Sequence, residues 1–517
     1  MKWSPAIVLL AACASAPPPP ATAPSPAAPA AASPEPGPAQ ATQPKIAPAA
    51  VPPPPAECQQ WAAPATGCAA EAPWREALAH ALELPSAEAR DRALACVESA
   101  APELDAWLRA LRAELAPQHC ADVLVAAYLE GKRGAVDASA EHALLGLLVA
   151  ARLSRLVSAP PALAPPFDKA RFMEFFEREL KPWMVAQALA IGALSRDGAK
   201  LSGYGKAVAA IEAGLSDLRF VQAVRAVPLP SDLANDADAR NVYYAELDQA
   251  LEPRKARGRD AALVALRILA DLGVIADARL ERARTLLSEL YAGSKIDALD
   301  RLLLPELPPL VVKTTEQRLA ARLPTFYASP LLGAPATPDD PELLRAFLER
   351  GFPQRLRAAL DQRKLGAEAR YAYAFAEARR GVVYFSGPAF RHAAELLGAS
   401  PAGDAAALLS AVSTALSAAP KDAAQLMLAE PRLKGPLGPI EPLDAIAAGR
   451  GRYAPEAEFD AAYLRALTPT DNDAKFWHDL ERRFRRAEKR LKPGETRTLA
   501  RELADGARQT AQALSKP

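Results

Sequence analysis

Five cysteines, five histidines and one crowded basic stretch are the residues of this chain whose types and spacing bear on chemistry. Cys13 closes the run Leu10-Ala11-Ala12-Cys13. Small residues before it let the backbone enter a peptidase cleft in extended form, and its thiol is a nucleophile available for lipid transfer. Cys58, Cys68, Cys96 and Cys120 form an even set confined to the first quarter of the chain. In an oxidising compartment four cysteines permit three pairings. Spacing favours Cys58–Cys68, a short loop whose closure is worth ~3 kcal/mol. It pairs the remaining two as Cys96–Cys120, a staple from one helix to its second neighbour. Four buried free thiols are the alternative. No C-x-x-C is present, so neither a thioredoxin-like pair nor a zinc ribbon is expected.

The histidines are His80, His119, His142, His392 and His478. None lies in H-E-x-x-H and no two share helical spacing, so no metal site on one helix and no cofactor is expected. The S-x-x-K and G-x-S-x-G nucleophile motifs are absent. Gly449-Arg450-Gly451-Arg452-Tyr453-Ala454 spells G-x-G-x-x-A, but no strand precedes it to aim a helix at a pyrophosphate, and it reads as a loop. Leu201 to Lys206 has the wrong glycine spacing for a P-loop. No catalytic residue can be named.

Asp471 to Lys492 is the most distinctive local feature. Phe476, Leu480, Phe484, Ala487 and Leu491 fall on one helical face, while Arg482, Arg483, Arg485, Arg486, Lys489 and Arg490 crowd the rest. Such a helix can lie on anionic lipid or clasp an acidic partner. Glu481 and Glu488 partly neutralise the face and favour a docked helix with a solvated basic side.

The elements that must position these groups begin with the leader. Lys2 carries one positive charge, and Ala6 to Ala12 is an apolar run at the lower limit of the roughly 7–15 residues of an export signal. It is too short to span a bilayer, which takes ~20 residues. Together with Leu10-Ala11-Ala12-Cys13 it resembles the lipobox of bacterial lipoproteins. The resemblance implies cleavage between Ala12 and Cys13, lipidation of Cys13, and a membrane attachment through that lipid. With more than one acyl chain such an anchor is durable. Ala14 at the second mature position implies onward sorting to the outer membrane in Gram-negative members. The alternatives are ordinary secretion with cleavage after Ala14 or Ala16, the latter disfavoured by Pro17, and a cytoplasmic protein.

Residues 14–56 hold sixteen of the 50 prolines and only two charged residues, Glu35 and Lys45. Such a tract cannot bury enough surface to offset its ordering entropy, so residues 13–56 are expected to form a disordered Ala/Pro-rich linker. At about 3.1 Å per residue in polyproline II it reaches at most ~130 Å, the length of a spacer.

Beyond it, 62 basic against 61 acidic residues leave a net charge of +1, which argues against bulk nucleic-acid binding. Half of the residues are hydrophobic but only 6% aromatic, and the alanine-rich balance suits close-packed helices. The chain is expected to be all-α: an irregular solenoid-like array or multi-helix bundle of paired antiparallel helices. Pro102 suits a first helical position and Ser86 an N-cap. Asp137–Val157 reads as a long central helix. Asp168–Leu180, Lys181–Arg196, Asp236–Leu251 and Arg259–Leu272 read as separate helices. The only strand-like clusters are Leu310-Val311-Val312 and Val382-Val383-Tyr384-Phe385. A proline-rich connector over 305–341, with one helix near Thr315–Arg322, divides an N-terminal helical domain (57–304) from a C-terminal one (342–517). Tyr373, Ala389 and Pro401 fall where a tetratricopeptide-like unit places an aromatic, a small residue and a closing proline. The similarity is weak, because Arg380 replaces the inner aromatic and no second copy follows. These features favour a non-catalytic envelope lipoprotein that binds a protein partner. An envelope enzyme acting on glycan or peptidoglycan is the alternative, disfavoured by the low aromatic content.

Overall fold

Helical periodicity governs nearly every described stretch. The computed structural model describes residues 46–62, 67–68, 73–131, 136–274, 277–290, 301–306, 310–332, 341–350, 360, 364–384, 387–398, 403–417, 437–469 and 471–515. The leader, Cys13 and the linker up to residue 45 lie outside them. In order, the helices are α1 Trp74–Glu83, α2 Ala87–Ala100, α3 Asp105–Leu115, α4 Ala121–Gly131, α5 Ala138–Arg155, α6 Lys169–Phe175 and α7 Lys181–Ala199. Next come α8 Gly203–Arg225, α9 Ser231–Ala234, α10 Ala237–Asp271, α11 Ala278–Leu290, α12 Thr315–Arg322, α13 Thr325–Leu332 and α14 Pro341–Arg350. The last are α15 Ala367–Tyr384, α16 Gly387–Leu397, α17 Asp404–Leu416, α18 Glu441–Ala448, α19 Ala454–Leu467, α20 Ala474–Arg490 and α21 Glu495–Leu514. The fold is all-α, built of successive paired helices, and among the described residues no strand forms. Leu310 to Val312 is irregular, and the Val382 cluster is helical through Tyr384.

Local chemistry sets many of the starts. The Ser86 hydroxyl accepts from Ala89 N–H at 3.2 Å, and Asp137, Asp236 and Asp473 cap α5, α10 and α20. Thr314 and Gln317 form a reciprocal capping box at α12.

Helix α8 is the hub, packing against α5, α7, α10 and α11. Glycines let its backbone come that close. A Cβ on Gly146 of α5 would stand 2.4 Å from Gly205 Cα, and one on Gly214 would stand 2.6 Å from the Gly258 carbonyl of α10. Charges are buried on the same helix and all are paired. Glu212 takes Arg219 at 2.7 Å and Gln118 at 2.8 Å, and Asp217 takes Arg254 at 2.8 Å together with Arg257.

Two expected breaks do not occur. One 35-residue helix, α10, runs through Pro253: burial of Leu247 and Leu251 anchors it before the proline, and Arg254 and Arg257 on Asp217 with the Gly258–Gly214 contact anchor it after. Between α6 and α7 the chain passes through a π-helical turn, Phe176–Leu180, with no gap.

The core has three main parts. The first joins α1–α5, α8 and the end of α10 to α12–α15, with Leu319, Tyr327, Phe347 and Tyr373 inside it. The second gathers aromatics from α6–α8 and α10, including Phe172, Phe175, Phe176 and Phe220. The third is built by α17–α21 with Phe390 and Leu302. The proline-rich stretch is therefore no spacer between cores. It carries α13 as well as α12, and Phe326 stacks on Tyr204 with ring centroids 4.2 Å apart. A solenoid packs each repeat on its neighbours only. Here α12 returns to α1 and α13 to α3, which makes this an irregular bundle.

Candidate functional site

The N-terminal end of the described body is built around Arg155, the last residue of α5. Its guanidinium is buried and bidentate on Asp122 of α4, at 2.8 and 2.6 Å. A further N–H goes to the His119 carbonyl, and Nε donates to the Pro52 carbonyl at 2.8 Å. Residues 46–55 form an irregular arm, and Ala49 N–H donates to the Ala186 carbonyl of α7 at 2.9 Å. Ala49 and Val51 pack on the aromatic core. The far end of the tract expected to be a free linker is thus seated on the body.

Immediately after the arm, the 3-10 turn Ala56–Ala62 packs against α4 and carries Cys58 into the core. The disulfides are Cys58–Cys120 and Cys68–Cys96, with Cα separations of 5.1 and 5.4 Å. The pairing favoured by spacing, Cys58–Cys68 with Cys96–Cys120, is not the one formed. Cys58 points inward beside Trp61 and meets Cys120 where α4 begins, whereas Cys68 is exposed and reaches Cys96 on α2. Three-dimensional packing, not loop length, selects the partners.

His119 stands beside this first bridge, and the ligand atoms of Cys58, His119 and Cys120 lie within 4.8 Å of one another. Metals bind thiolate. Both sulfurs here are spent in the disulfide, so the cluster offers a single imidazole. The other histidines do not converge with it. His142 Nδ1 lies 2.6 Å from the Ser202 hydroxyl, but His142 is half-buried and Ser202 exposed, and among the described residues no carboxylate orients the ring. His478 faces Glu481 at 3.3 Å, and His392 lies edge-on to Tyr373. Gly449 to Tyr453 is a loop between α18 and α19 and Ala454 opens α19, with Arg452 N–H held by Asp404 at 2.8 Å.

The basic helix α20 turns its apolar side into the third core through Leu480, Phe484 and Ala487. Its arginines are engaged within the protein. Arg483 bonds Asp444 at 2.9 Å, and Arg485 bonds Glu488 at 2.9 Å as well as Asp505. Arg486 lies 3.4 Å from Glu458, and Arg490 reaches the Ala447 carbonyl at 3.1 Å. Arg482 meets Asp479 at 3.0 Å in the open, and Lys489 is exposed in the last turn. Arg482, Arg486, Lys489 and Arg490 stay exposed, the first two while paired with Asp479 and Glu458.

A second buried network joins α3, α8, α11 and α13. Arg279 bonds Glu114 at 2.6 Å and Asp277 at 2.8 Å, and the Tyr327 hydroxyl donates to the Ala110 carbonyl at 3.3 Å. Burial raises the Glu114 carboxyl above its ordinary range despite Arg279, and raises the Tyr204 and Tyr327 phenols well above theirs. The network knits four helices together inside the core. The Arg155 clamp had no signal in the sequence, since its partners are 33 and 103 residues away. Comparison with known protein families, with curated proteins and with solved structures finds no match to this chain.

Proposed function

We propose that the protein is a lipoprotein of the bacterial cell envelope. In this reading Cys13 carries the lipid, residues 14–45 act as the spacer, and the helical body is a non-catalytic surface for a protein partner, on the outer membrane. The observation that carries it is the junction where the proposed tether enters the body. Any pull from an anchor reaches residues 46–58. There it meets the Arg155–Pro52 bond and then a covalent bridge, Cys58–Cys120, into the start of α4. Two disulfides fit an oxidising compartment. Among the described residues no helix is long and apolar enough to cross a membrane.

Mass analysis of the mature N-terminus tests the anchor directly, with a lipid-modified residue 13 expected. Cys13→Ser should move the protein out of the membrane fraction, and unchanged fractionation would overturn the tether. Crosslinking and pull-down from the native envelope tests the binding role. Hydrolase activity on peptidoglycan with no stable partner would replace it by the enzyme reading.

A further inference from the structure

Asp460 of α19 is fully buried, at 0 % exposure, and holds a segment from outside its own bundle. Its Oδ1 accepts the Leu303 N–H at 2.7 Å. Leu302 is buried in the third core, and Leu303 and Leu304 pack against it. Residues 301–306 therefore dock on α19 through one backbone bond and three leucines. Among the described residues the other oxygen, Oδ2, has no partner, and neither has Oε2 of Glu456 one turn earlier. A carboxylate left this way in a dry site lacks the donors that would stabilise its charge.

The described arginines of α19 and α20 that bear on this bundle pair with other carboxylates. On α19 itself, Glu458 draws Arg486 and Arg483 of α20, at 3.4 and 3.8 Å. On α18, Asp444 is bonded to Arg465 and Arg483, and Glu441 is exposed. Asp404 of α17 faces the Arg452 amide. The segment itself carries Arg301 and Glu306.

We propose that Asp460 is a protonated latch, whose neutral carboxyl holds Leu302–Leu304 on the C-terminal bundle and whose ionisation lets that segment go. Burial first, then the charge of Glu456, lifts this carboxyl from the ordinary 3.8 to about 8, against the opposing pull of the Leu303 N–H. The sign follows. Docking is at full strength below the ordinary value of 3.8 and is lost progressively as pH rises toward about 8. With the carboxyl returned to water on release, the docking constant falls about tenfold per pH unit in that window and levels off above it. The device is independent of the proposed anchor. In an envelope protein it would respond to the pH of the medium.

Amide exchange at Leu303 in the full chain, corrected for the intrinsic rate, reads the latch. Between pH 5.5 and 7.5 its protection is expected to fall about 100-fold in the native protein and by less than about threefold in Asp460→Asn. A flat native profile, or an equal fall in Asp460→Asn, overturns the proposal. If that variant does not fold, Glu456→Gln serves: removing the neighbouring charge brings the plateau to lower pH and shrinks the fall. An unshrunk fall with Glu456→Gln also overturns it.

Discussion

Gly205 of α8 lies directly on the backbone of His142 in α5: a Cβ at residue 205 would stand 1.7 Å from the His142 carbonyl oxygen. Backbone cannot swing aside as a flexible side chain does, so Gly205→Ala must push two central helices apart. Overpacking of this kind costs about 3 kcal/mol, more than the roughly 1 kcal/mol that alanine returns in helix propensity. At Gly506 of α21 an added methyl would meet nothing within 4 Å, so this position serves as the control. Thermal unfolding should place Gly205→Ala below the native protein and Gly506→Ala slightly above it. Equal shifts would mean that α5 and α8 are not in the contact described.

The helical class was readable because it needs only local information: 3.6-residue apolar spacing, capping residues, and few β-branched runs. What failed to read depends on tertiary contact. Pro253 looks like a helix end, yet Arg254 and Arg257 on Asp217 carry α10 through it. The segment around Pro324 and Pro330 looks like a linker, yet burial of Tyr327 and stacking of Phe326 on Tyr204 fold it as α13. The cysteine partners and the Arg155 clamp were illegible for the same reason, since nothing near residue 58 or 155 in sequence announces what lies opposite. The chemistry of Cys13 rests on the leader pattern alone.

The Arg155–Asp122 pair can be tested for its two roles separately. Arg155→Met leaves the Asp122 carboxylate buried without its partner, a loss of about 3–5 kcal/mol. It also removes the donor to Pro52, so the Ala49 amide, bonded to Ala186, should lose exchange protection. Arg155→Met with Asp122→Leu should recover much of the stability, because the charge is gone. The arm should stay loose in that double variant. Recovery of the Ala49 protection as well would show that Arg155 does not hold the arm.

Disulfide mapping by mass spectrometry without reduction, on thiol-blocked protein, should return peptides joining Cys58 to Cys120 and Cys68 to Cys96. The first bridge closes a separation of 62 residues and the second one of 28. By chain entropy the longer loop is worth about 4.3 kcal/mol and the shorter one about 0.7 kcal/mol less. Cys58→Ser with Cys120→Ser should therefore lower the unfolding free energy at least as much as Cys68→Ser with Cys96→Ser. It should do so by more than loop closure alone, because Cys58 and Cys120 are fully buried while Cys68 is exposed. A larger loss at the exposed bridge would contradict that order.

Helix α20 offers two arginines one residue apart with opposite expectations. Arg482 is 71% exposed and meets Asp479 in solvent, so Arg482→Glu should change stability by no more than about 0.5 kcal/mol. Arg483 is held among Asp444, Asp479 and Glu458. A glutamate there sets like charges at about 4 Å, worth roughly 4 kcal/mol at an effective dielectric of 20, and solvent still leaves a penalty of about 2 kcal/mol. Burial pushes the Asp444 carboxyl up, but Arg465 and Arg483 together hold it below its ordinary 3.8. Its contribution is therefore present above pH 3.8 and is lost as the pH falls through the lowered value, so the melting temperature of the native protein should drop steeply in that acid range. Arg483→Gln should flatten the acid drop. The same internal pairing sets the outcome for lipid: the Cys13→Ser protein, lacking any acyl chain, should not sediment with anionic vesicles at physiological salt. If it does, and Arg482→Glu abolishes it, α20 is a membrane face after all, because its outward charge then outweighs the carboxylates that hold its inward one.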